Sequence, residues 1–367
     1  MRVAIVSKTF VFDAAQRLLE CLAQQPDIEL TLITPEMWRS DDGRALPFVP
    51  RYAEGYAIRP LPVRFNGRYH AYTYRGLTRT LGALWPDLVH IDEEPFNPAG
   101  MQAQLLADRL GARTIFTVLQ NLLRRYPPPF SLMEQYNYRR TAHIIACNAA
   151  AGEVVRAKGY RGALSQFSVY GVDPDLYLPA EHSAPRDGVV IGYIGRLVLY
   201  KGLGLLIEAL RGLPEHCRLR LLGAGPDEDA LRQLAIEQGV ASRVTFAPPV
   251  PASNVADELR QMDVLALPSL TRPNWAEQFG RVLIEAMACA VPVVGSSSGE
   301  IPNVIGDAGV VVPEGDVEAL RVALARLAAD PALREHYACA GRQRVLDHFT
   351  QEHAARRIAG VYQQARA

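Results

Sequence analysis

The sequence predicts an α/β protein built of two doubly wound, Rossmann-like parallel sheets facing a cleft. Three observations carry that reading. Short apolar runs alternate with helical stretches along the whole chain, a pattern that gives parallel strands with helical crossovers on both faces. The alternation pauses between Tyr170 and Gly188, in a stretch rich in Pro and acids that reads as a linker, and then starts again. A length of 367 residues suits two sizeable cores. The expected division is a first domain over 1–172, a linker over 173–187, a second domain over 188–345, and a terminal helix over 346–367 packing back toward the first domain. In such sheets ligands bind at the carboxyl ends of the strands, and a cleft between two such domains is the natural site.

Composition narrows the function classes. Lys and Arg number 39 and so do Asp and Glu, so no global charge points to nucleic acid. Residues 1–170 hold 20 basic and 15 acidic groups, a net +5, and the remainder hold 19 and 24, a net −5. A basic first half points to an anionic partner or surface. The five cysteines are dispersed, with no metal spacing, as for buried thiols in a reducing compartment. Met1 leads directly into the run Val3-Ala4-Ile5-Val6, without a signal-peptide pattern, and the longest apolar run, Val189 to Tyr200, is broken by Arg196. The expected location is cytoplasmic, with peripheral contact at the inner face of a membrane.

The elements follow in order. Strand 2–7 precedes helix 13–24 and strand 28–33. After an irregular Pro-rich stretch come a helix near 69–84, strand 88–91, helix 97–110 and strand 113–118. A loop through Pro127-Pro128-Pro129 leads to helix 131–140, strand 143–147, helix 149–158 and strand 166–169. The strand-end candidates are Ser7 to Phe10, His90 to Phe96, and Leu119 to Asn121. Asp92 and Glu93 are suited to bind acceptor hydroxyls or, equally, to cap the following helix. Residues 59–79 interleave Arg59, Arg64, Arg68, Arg75 and Arg79 with Phe65, Tyr69, Tyr72 and Tyr74, which suits an anionic membrane surface, a phosphate-bearing acceptor or a solvated face.

The second half repeats the pattern with strands at 189–195, 217–222, 243–247, 263–267, 291–295 and 309–312. Helices fall at 202–211, 227–238, 252–260 and 279–290, then near 316–329, 331–346 and 351–364. Arg196 and Lys201 follow the first of these strands, where cations can clamp a diphosphate and stabilise developing negative charge. The chain holds only three lysines (Lys8, Lys158, Lys201) against 36 arginines, so a compact charge at Lys201 is a choice against bias. Leu222-Gly223-Ala224-Gly225-Pro226 is a glycine turn, but the third glycine of a dinucleotide loop is missing and no acid ends the next strand, so a dinucleotide reading fails. Glu277 sits in a loop and Glu285 in an almost wholly apolar helix. A buried carboxylate without a partner is costly, so Glu285 should meet an Arg, a solvated edge or a ligand hydroxyl.

Taken together these residues resemble the glycosyl transferases group 1 family, retaining enzymes of the two-domain GT-B fold. The resemblance rests on Gly195-Arg196-Leu197 with Lys201-Gly202, on Leu222 to Pro226, and on Glu277 to Glu285 in the family's E-x7-E arrangement. It is completed by Pro292 to Gly295, Ile301-Pro302 and Gly309 to Pro313. It implies transfer of a hexosyl unit from a nucleotide-diphosphate sugar, of UDP or GDP type, to a hydroxyl acceptor, with no metal or other cofactor. Arg196 and Lys201 are then expected to hold the pyrophosphate, Glu277 the donor sugar and Glu285 the ribose. Gly195 and the amides near Gln278, Phe279 and Gly280 complete the donor contacts, and the turn from Ala247 to Ser253 holds the base. The first domain binds the acceptor, with Asp92, Glu93 and Gln120 on that side. Two departures stand out: Ser7-Lys8-Thr9-Phe10 replaces the family's glycine-rich loop, and Gln120 stands where a His is common.

Three other classes compete with this expectation. A retaining glycoside hydrolase needs carboxyls about 5–5.5 Å apart, whereas two residues eight apart on one helix are separated by about 12 Å along its axis. A GT-B nucleotide-sugar epimerase would share the cleft and consume no acceptor. A two-lobed sugar-binding protein without chemistry would ordinarily be exported.

Overall fold

The computed structural model describes residues 1–40, 43–180 and 188–366, so part of the expected linker, 181–187, lies outside the described residues. The chain forms two compact units. The first comprises Met1–Gly171 with Gln351–Ala367, and the second Val172–Thr350.

In chain order the first unit contains β1 (Arg2–Ser7), α1 (Arg17–Ala23), β2 (Glu29–Pro35), β3 (Met37–Arg39), β4 (Ala45–Pro47), β5 (Ala57–Leu61), β6 (Val63–Arg64) and β7 (Thr73–Tyr74). It continues with α2 (Leu77–Leu84), β8 (Leu88–Asp92), α3 (Pro98–Leu110), β9 (Arg113–Val118), α4 (Phe130–Arg140), β10 (His143–Ala146), α5 (Ala149–Ala157) and β11 (Ala163–Gln166). Seven strands form one sheet in the order β11-β10-β9-β8-β1-β2-β5, with every pair parallel. Successive side chains of β1 point to opposite faces. Ala4 and Val6 join Val89, Ile91, Leu77, Leu81, Ala99 and Ala103 in one layer, while Val3 and Ile5 join Leu30, Leu32, Leu19 and Leu22 in the other. That alternation is why the run from Val3 to Val6 is apolar throughout.

The second unit contains β12 (Val189–Ile194), α6 (Leu203–Arg211), β13 (Cys217–Leu222), α7 (Glu228–Glu237), β14 (Val244–Ala247), α8 (Val255–Leu259), β15 (Val264–Leu267), α9 (Arg281–Ala288) and β16 (Val293–Ser296). It ends with α10 (Ile301–Ile305), β17 (Val310–Val312), α11 (Val317–Ala329) and α12 (Pro331–His348). Its sheet runs β14-β13-β12-β15-β16-β17, again all parallel. The last helix, α13 (Gln351–Arg366), is part of the first unit and contributes Ala355, Ile358 and Tyr362 to the core beside α1. No helix among the described residues is long and apolar enough to cross a membrane.

Four local expectations differ from what forms. The helix expected near 69–84 begins only at Leu77, because Gly76 takes φ +83° at its N-cap and the preceding residues turn inward to bury Tyr72 and Tyr74 in the β6–β7 hairpin. The helix expected over 13–24 starts as separate 3-10 turns at Thr9–Val11 and Asp13–Ala15 before α1. The strand expected at 166–169 lies instead at β11, set by pairing of His143 with Ala163. Lastly, β5 forms within the stretch expected to be irregular. Its Pro60 is tolerated because the strand lies at the sheet edge.

Each sheet reverses its direction of growth once. In the first unit the chain winds outward from β1 through β2 and then returns to β8, so the reversal lies between Ser7 and Asp92. In the second it lies between β12 and β15, just before Gly195 and Pro268. Those crevices are where open α/β sheets bind ligands.

Candidate active site

At the reversal point of the second unit, the segment after β12 carries Gly195 (φ +153°), then exposed Arg196, then the 3-10 turn Leu199–Lys201. The turn can close because Gly202 has no side chain: a Cβ there would stand 1.8 Å from the Pro268 carbonyl oxygen. Lys201 therefore lies against the segment that follows β15. Its Nζ is 2.6 Å from Glu277 Oε2 and 4.8 Å from the centroid of the Trp275 ring, which in turn packs on Tyr200. Ser269 Oγ donates to the same Glu277 oxygen at 2.9 Å.

Glu277 is buried and held from behind as well. The Glu300 amide donates to its carbonyl at 3.0 Å, and a Cβ on Gly299 would meet that carbonyl oxygen at 2.0 Å. Only glycine allows this close approach. Arg196 differs from Lys201 in that its guanidinium makes no hydrogen bond or ion pair among the described residues, which leaves its donors for an anion.

Gln278 is exposed, Phe279 is buried against Phe349 at 5.8 Å between centroids, and Gly280 (φ +81°) begins α9. Glu285 lies midway along α9, half-buried, and its carboxylate likewise makes no hydrogen bond or ion pair among the described residues. Burial pushes its pKa up, with Arg281 offsetting part of the effect. Of the partners considered for Glu285, the structure supplies a neighbouring positive charge but no direct bond.

A second polar cluster lies at the reversal point of the first unit. Ser7 Oγ donates to Asp92 Oδ2 at 2.6 Å, joining the ends of β1 and β8. Lys8 Nζ reaches Glu93 Oε2 at 2.9 Å and sits 4.3 Å from the centroid of Tyr69. The Tyr72 hydroxyl donates to the other Glu93 oxygen, and Asn97 Nδ2 lies 3.4 Å from Oε2. Neither Asp92 nor Glu93 caps α3, whose N-cap Asn97 has no side-chain capping bond. Glu94 is buried and accepts the amides of Leu119 (2.8 Å) and Gln120 (3.0 Å), and its burial raises its pKa to about 7. Gln120 bridges Lys158 and Tyr126, both at 2.9 Å. His90, at the start of the candidate stretch, faces the core, with its ring nitrogens 2.8 Å from the Tyr362 hydroxyl and 2.7 Å from Thr117 Oγ1. Burial pushes its pKa down to about 3.

The structure thus brings Gly195, Arg196, Lys201 and Glu277 to one crevice, with Gln278, Phe279, Gly280 and Glu285 following in the adjoining loop and helix. Asp92, Glu93 and Gln120 gather at the other crevice. Reasoning from sequence missed Ser269, Trp275, Tyr126 and Glu134, whereas Glu94 lies within the candidate stretch His90 to Phe96. One signal was present: each of the three lysines forms an ion pair with a glutamate that is largely removed from solvent, Lys8 with Glu93, Lys158 with Glu134 and Lys201 with Glu277.

Residues 178–344 match the family model described as glycosyl transferases group 1, and residues 13–164 match a glycosyl transferase 4-like domain. Among curated proteins, the chain is 35% identical over 205 residues to a GDP-mannose-dependent alpha-(1-6)-phosphatidylinositol monomannoside mannosyltransferase of Mycolicibacterium smegmatis, covering 52% of this chain and 53% of that protein. It is 29% identical over 322 residues to a D-inositol 3-phosphate glycosyltransferase of Stackebrandtia nassauensis, covering 78% and 71%. For the first three such relatives the matched part is 53%, 34% and 50% of their length, so the chain spans about half or less of them. Among solved structures, sucrose-phosphate synthase from Thermosynechococcus elongatus superposes with a TM-score of 0.73 at 21% identity, covering 99% of this chain and 98% of that one. Anabaena Alr3699/HepE, solved with UDP and glucose, superposes with a TM-score of 0.72 at 16% identity, covering 99% and 100%. At these identities the structural likeness shows the shared fold, the GT-B architecture.

Proposed function

Because the chain belongs to the glycosyl transferases group 1 family, we propose that it transfers a hexosyl unit from a nucleotide-diphosphate sugar to a hydroxyl acceptor, with retention of anomeric configuration. The observation that carries this reading is the Lys201–Glu277 ion pair beside the uncommitted guanidinium of Arg196, at the point where an open α/β sheet binds ligands. Two cations there suit a diphosphate, and Glu285, lacking a direct partner, suits a ribose hydroxyl. In the proposed reaction the bond between the anomeric carbon and the β-phosphate oxygen breaks. The acceptor oxygen bonds that carbon on the same face, its proton passes to the leaving phosphate, and the products are a glycoside and a nucleoside diphosphate. Arg196 and Lys201 neutralise the leaving charge, so no metal is required.

The donor base is UDP or GDP type. One relative's name specifies GDP-mannose and one structural neighbour was solved with UDP. The first unit holds the acceptor, at the crevice where Asp92, Glu93 and Gln120 gather. The names of two relatives specify a phosphatidylinositol mannoside and inositol 3-phosphate, which makes a phosphorylated or lipid-linked polyol the acceptor to try first. The protein acts in the cytoplasm at the inner membrane face, using exposed Arg59, Arg64, Arg68, Arg75 and Arg79 with Phe65 (60% exposed).

The test is thermal stabilisation by a panel of UDP- and GDP-sugars, with chelator and then with magnesium, followed by transfer assays in which the product anomer is read by NMR. Stabilisation by one nucleotide class without metal, diminished in Glu285→Ala, is the expected result. No stabilisation by any nucleotide, or an inverted product, overturns the reading.

A further inference from the structure

Lys158 is one of the most deeply placed charges in the first unit. Its side chain is 6% exposed and that of its partner Glu134 7%, with Nζ to Oε1 at 2.7 Å. A second bond from Nζ goes to Gln120 Oε1 at 2.9 Å, and the ammonium sits 4.9 Å from the Tyr126 ring centroid and 5.8 Å from that of Phe96. An ammonium can only donate. The end of Gln120 that faces Lys158 must therefore be its carbonyl, and the end facing Tyr126 must be its amide. Gln120 Nε2 donates to the Tyr126 hydroxyl at 2.9 Å. That oxygen is now an acceptor, so its own proton has to point elsewhere, and no group among the described residues receives it.

We propose that Tyr126 is an acceptor-recognising residue whose hydroxyl proton is aimed outward by the chain Lys158 → Gln120 → Tyr126, donating to an oxygen of the acceptor molecule. The proposal rests on the reading of the first unit as the acceptor-binding half. The charge at Lys158 polarises each bond of the chain in one direction, which strengthens the last donor. Glu94 supports the arrangement by binding the amides of Leu119 and Gln120, which fixes where the Gln120 side chain starts. Gln120 is then a positioning residue, whereas Tyr126 touches substrate. Tyr126 is half-buried, with its ring packed on Phe96 at 4.2 Å between centroids.

Gln120→Glu tests the direction of the chain. The replacement has the same shape and keeps the contact with Lys158, but a carboxylate can only accept, so Tyr126 would turn its proton inward. A merely structural role predicts no loss from this change. With D-inositol 3-phosphate and a hexose phosphate as acceptor probes, we expect Tyr126→Phe and Gln120→Glu each to raise acceptor KM about tenfold, the worth of one hydrogen bond, with donor KM unmoved. The double variant should be no worse than either single one. The direction is also read without turnover, by spectrophotometric titration of Tyr126 as the difference between each protein and its Tyr126→Phe counterpart. Gln120→Glu should raise the Tyr126 pKa by at least one unit. An unchanged titration overturns the proposal, and so does an unchanged acceptor KM in a wild-type protein that does transfer sugar. Failure of the wild type to transfer anything would count against the proposed function, and the titration would still decide the direction of the chain.

Discussion

Lys201 and Glu277 are 76 positions apart in the chain and 2.6 Å apart in space. The pair joins the segment after β12 to the segment after β15, the two sides of the crevice where the second sheet reverses. Removing the cation should damage catalysis more than folding. For Lys201→Ala we expect kcat to fall by about 10²–10³, the usual effect of deleting one preorganised charge-stabilising donor. The fold should persist at lowered stability, because Ser269 still donates to Glu277 Oε2 while the buried carboxylate loses its cation. Steady-state kinetics with circular dichroism on the same sample decides it, and unaltered kcat would remove Lys201 from the mechanism.

Glu285 should behave in the opposite way. Its folded-state pKa is raised by burial, so ionisation costs stability that is fully present below the unfolded pKa and lost as pH rises through the folded value. Glu285→Gln should therefore raise the Tm of the ligand-free protein at pH 8. The same change should shrink the stabilisation given by a nucleotide sugar. A variant with lower Tm and full ligand response would contradict both halves of the argument.

His90 gives the fold a dependence on acid. Its pKa is held near 3 in the folded state, against an ordinary value of 6.5. Below pH 6.5 the unfolded chain takes up a proton that the folded chain refuses, so stability falls as pH falls through the window from 6.5 to 3. The slope from this group approaches about 1.4 kcal/mol per pH unit. His90→Asn should flatten that limb in urea-unfolding curves recorded from pH 6.5 down to 4. Glu94, raised to about 7, acts the other way: its contribution is present below pH 4.5 and is lost as pH rises to 7, a trend that Glu94→Gln should abolish.

Lys158→Met should be strongly destabilising. It leaves the Glu134 carboxylate buried without its cation, a change that costs about 3–5 kcal/mol. The double variant Lys158→Met with Glu134→Gln should recover a large part of that loss. Chemical denaturation of the wild type, Lys158→Met, Glu134→Gln and the double variant measures the coupling, and additive losses would show that the two side chains do not depend on each other.

Charge reversal to Glu at Arg64, Arg68 and Arg75 should abolish binding to vesicles containing phosphatidylserine. Each basic group is worth about 1 kcal/mol near such a surface, and the binding should weaken with salt. Co-sedimentation at low and high ionic strength reads this out, and no wild-type binding at either salt would eliminate the membrane role.

Much of the second unit was legible because its strands are short apolar runs such as Val264 to Leu267, closed by Pro268 or by glycine turns. Glu277 and Glu285 stood out because carboxylates are conspicuous within apolar surroundings. The first unit was harder. Tyr72 and Tyr74 read as part of a helix because aromatic and basic residues carry no clear period, and only the bend at Gly76 and the pairing of β6 with β7 place them inside. Glu94 was marked only by its place in the acidic strand end after β8, and Tyr126 and Glu134 gave no local signal at all. Each looks like an ordinary loop or helix residue until the fold brings it to Lys158 or Gln120, and that proximity is a property of tertiary structure alone.

The assignment of α13 to the first unit bears on how the protein is made. The second unit, Val172–Thr350, is continuous in the chain and can complete itself while translation is still under way. The first unit cannot. Its layer beside α1 lacks Ala355, Ile358 and Tyr362 until residues 351–366 have left the ribosome, so β1 and α1 wait for a helix synthesised after the whole second unit. During that interval Val3, Ile5, Leu19 and Leu22 lack the helix that completes their layer, and apolar surface left uncovered in this way is prone to association.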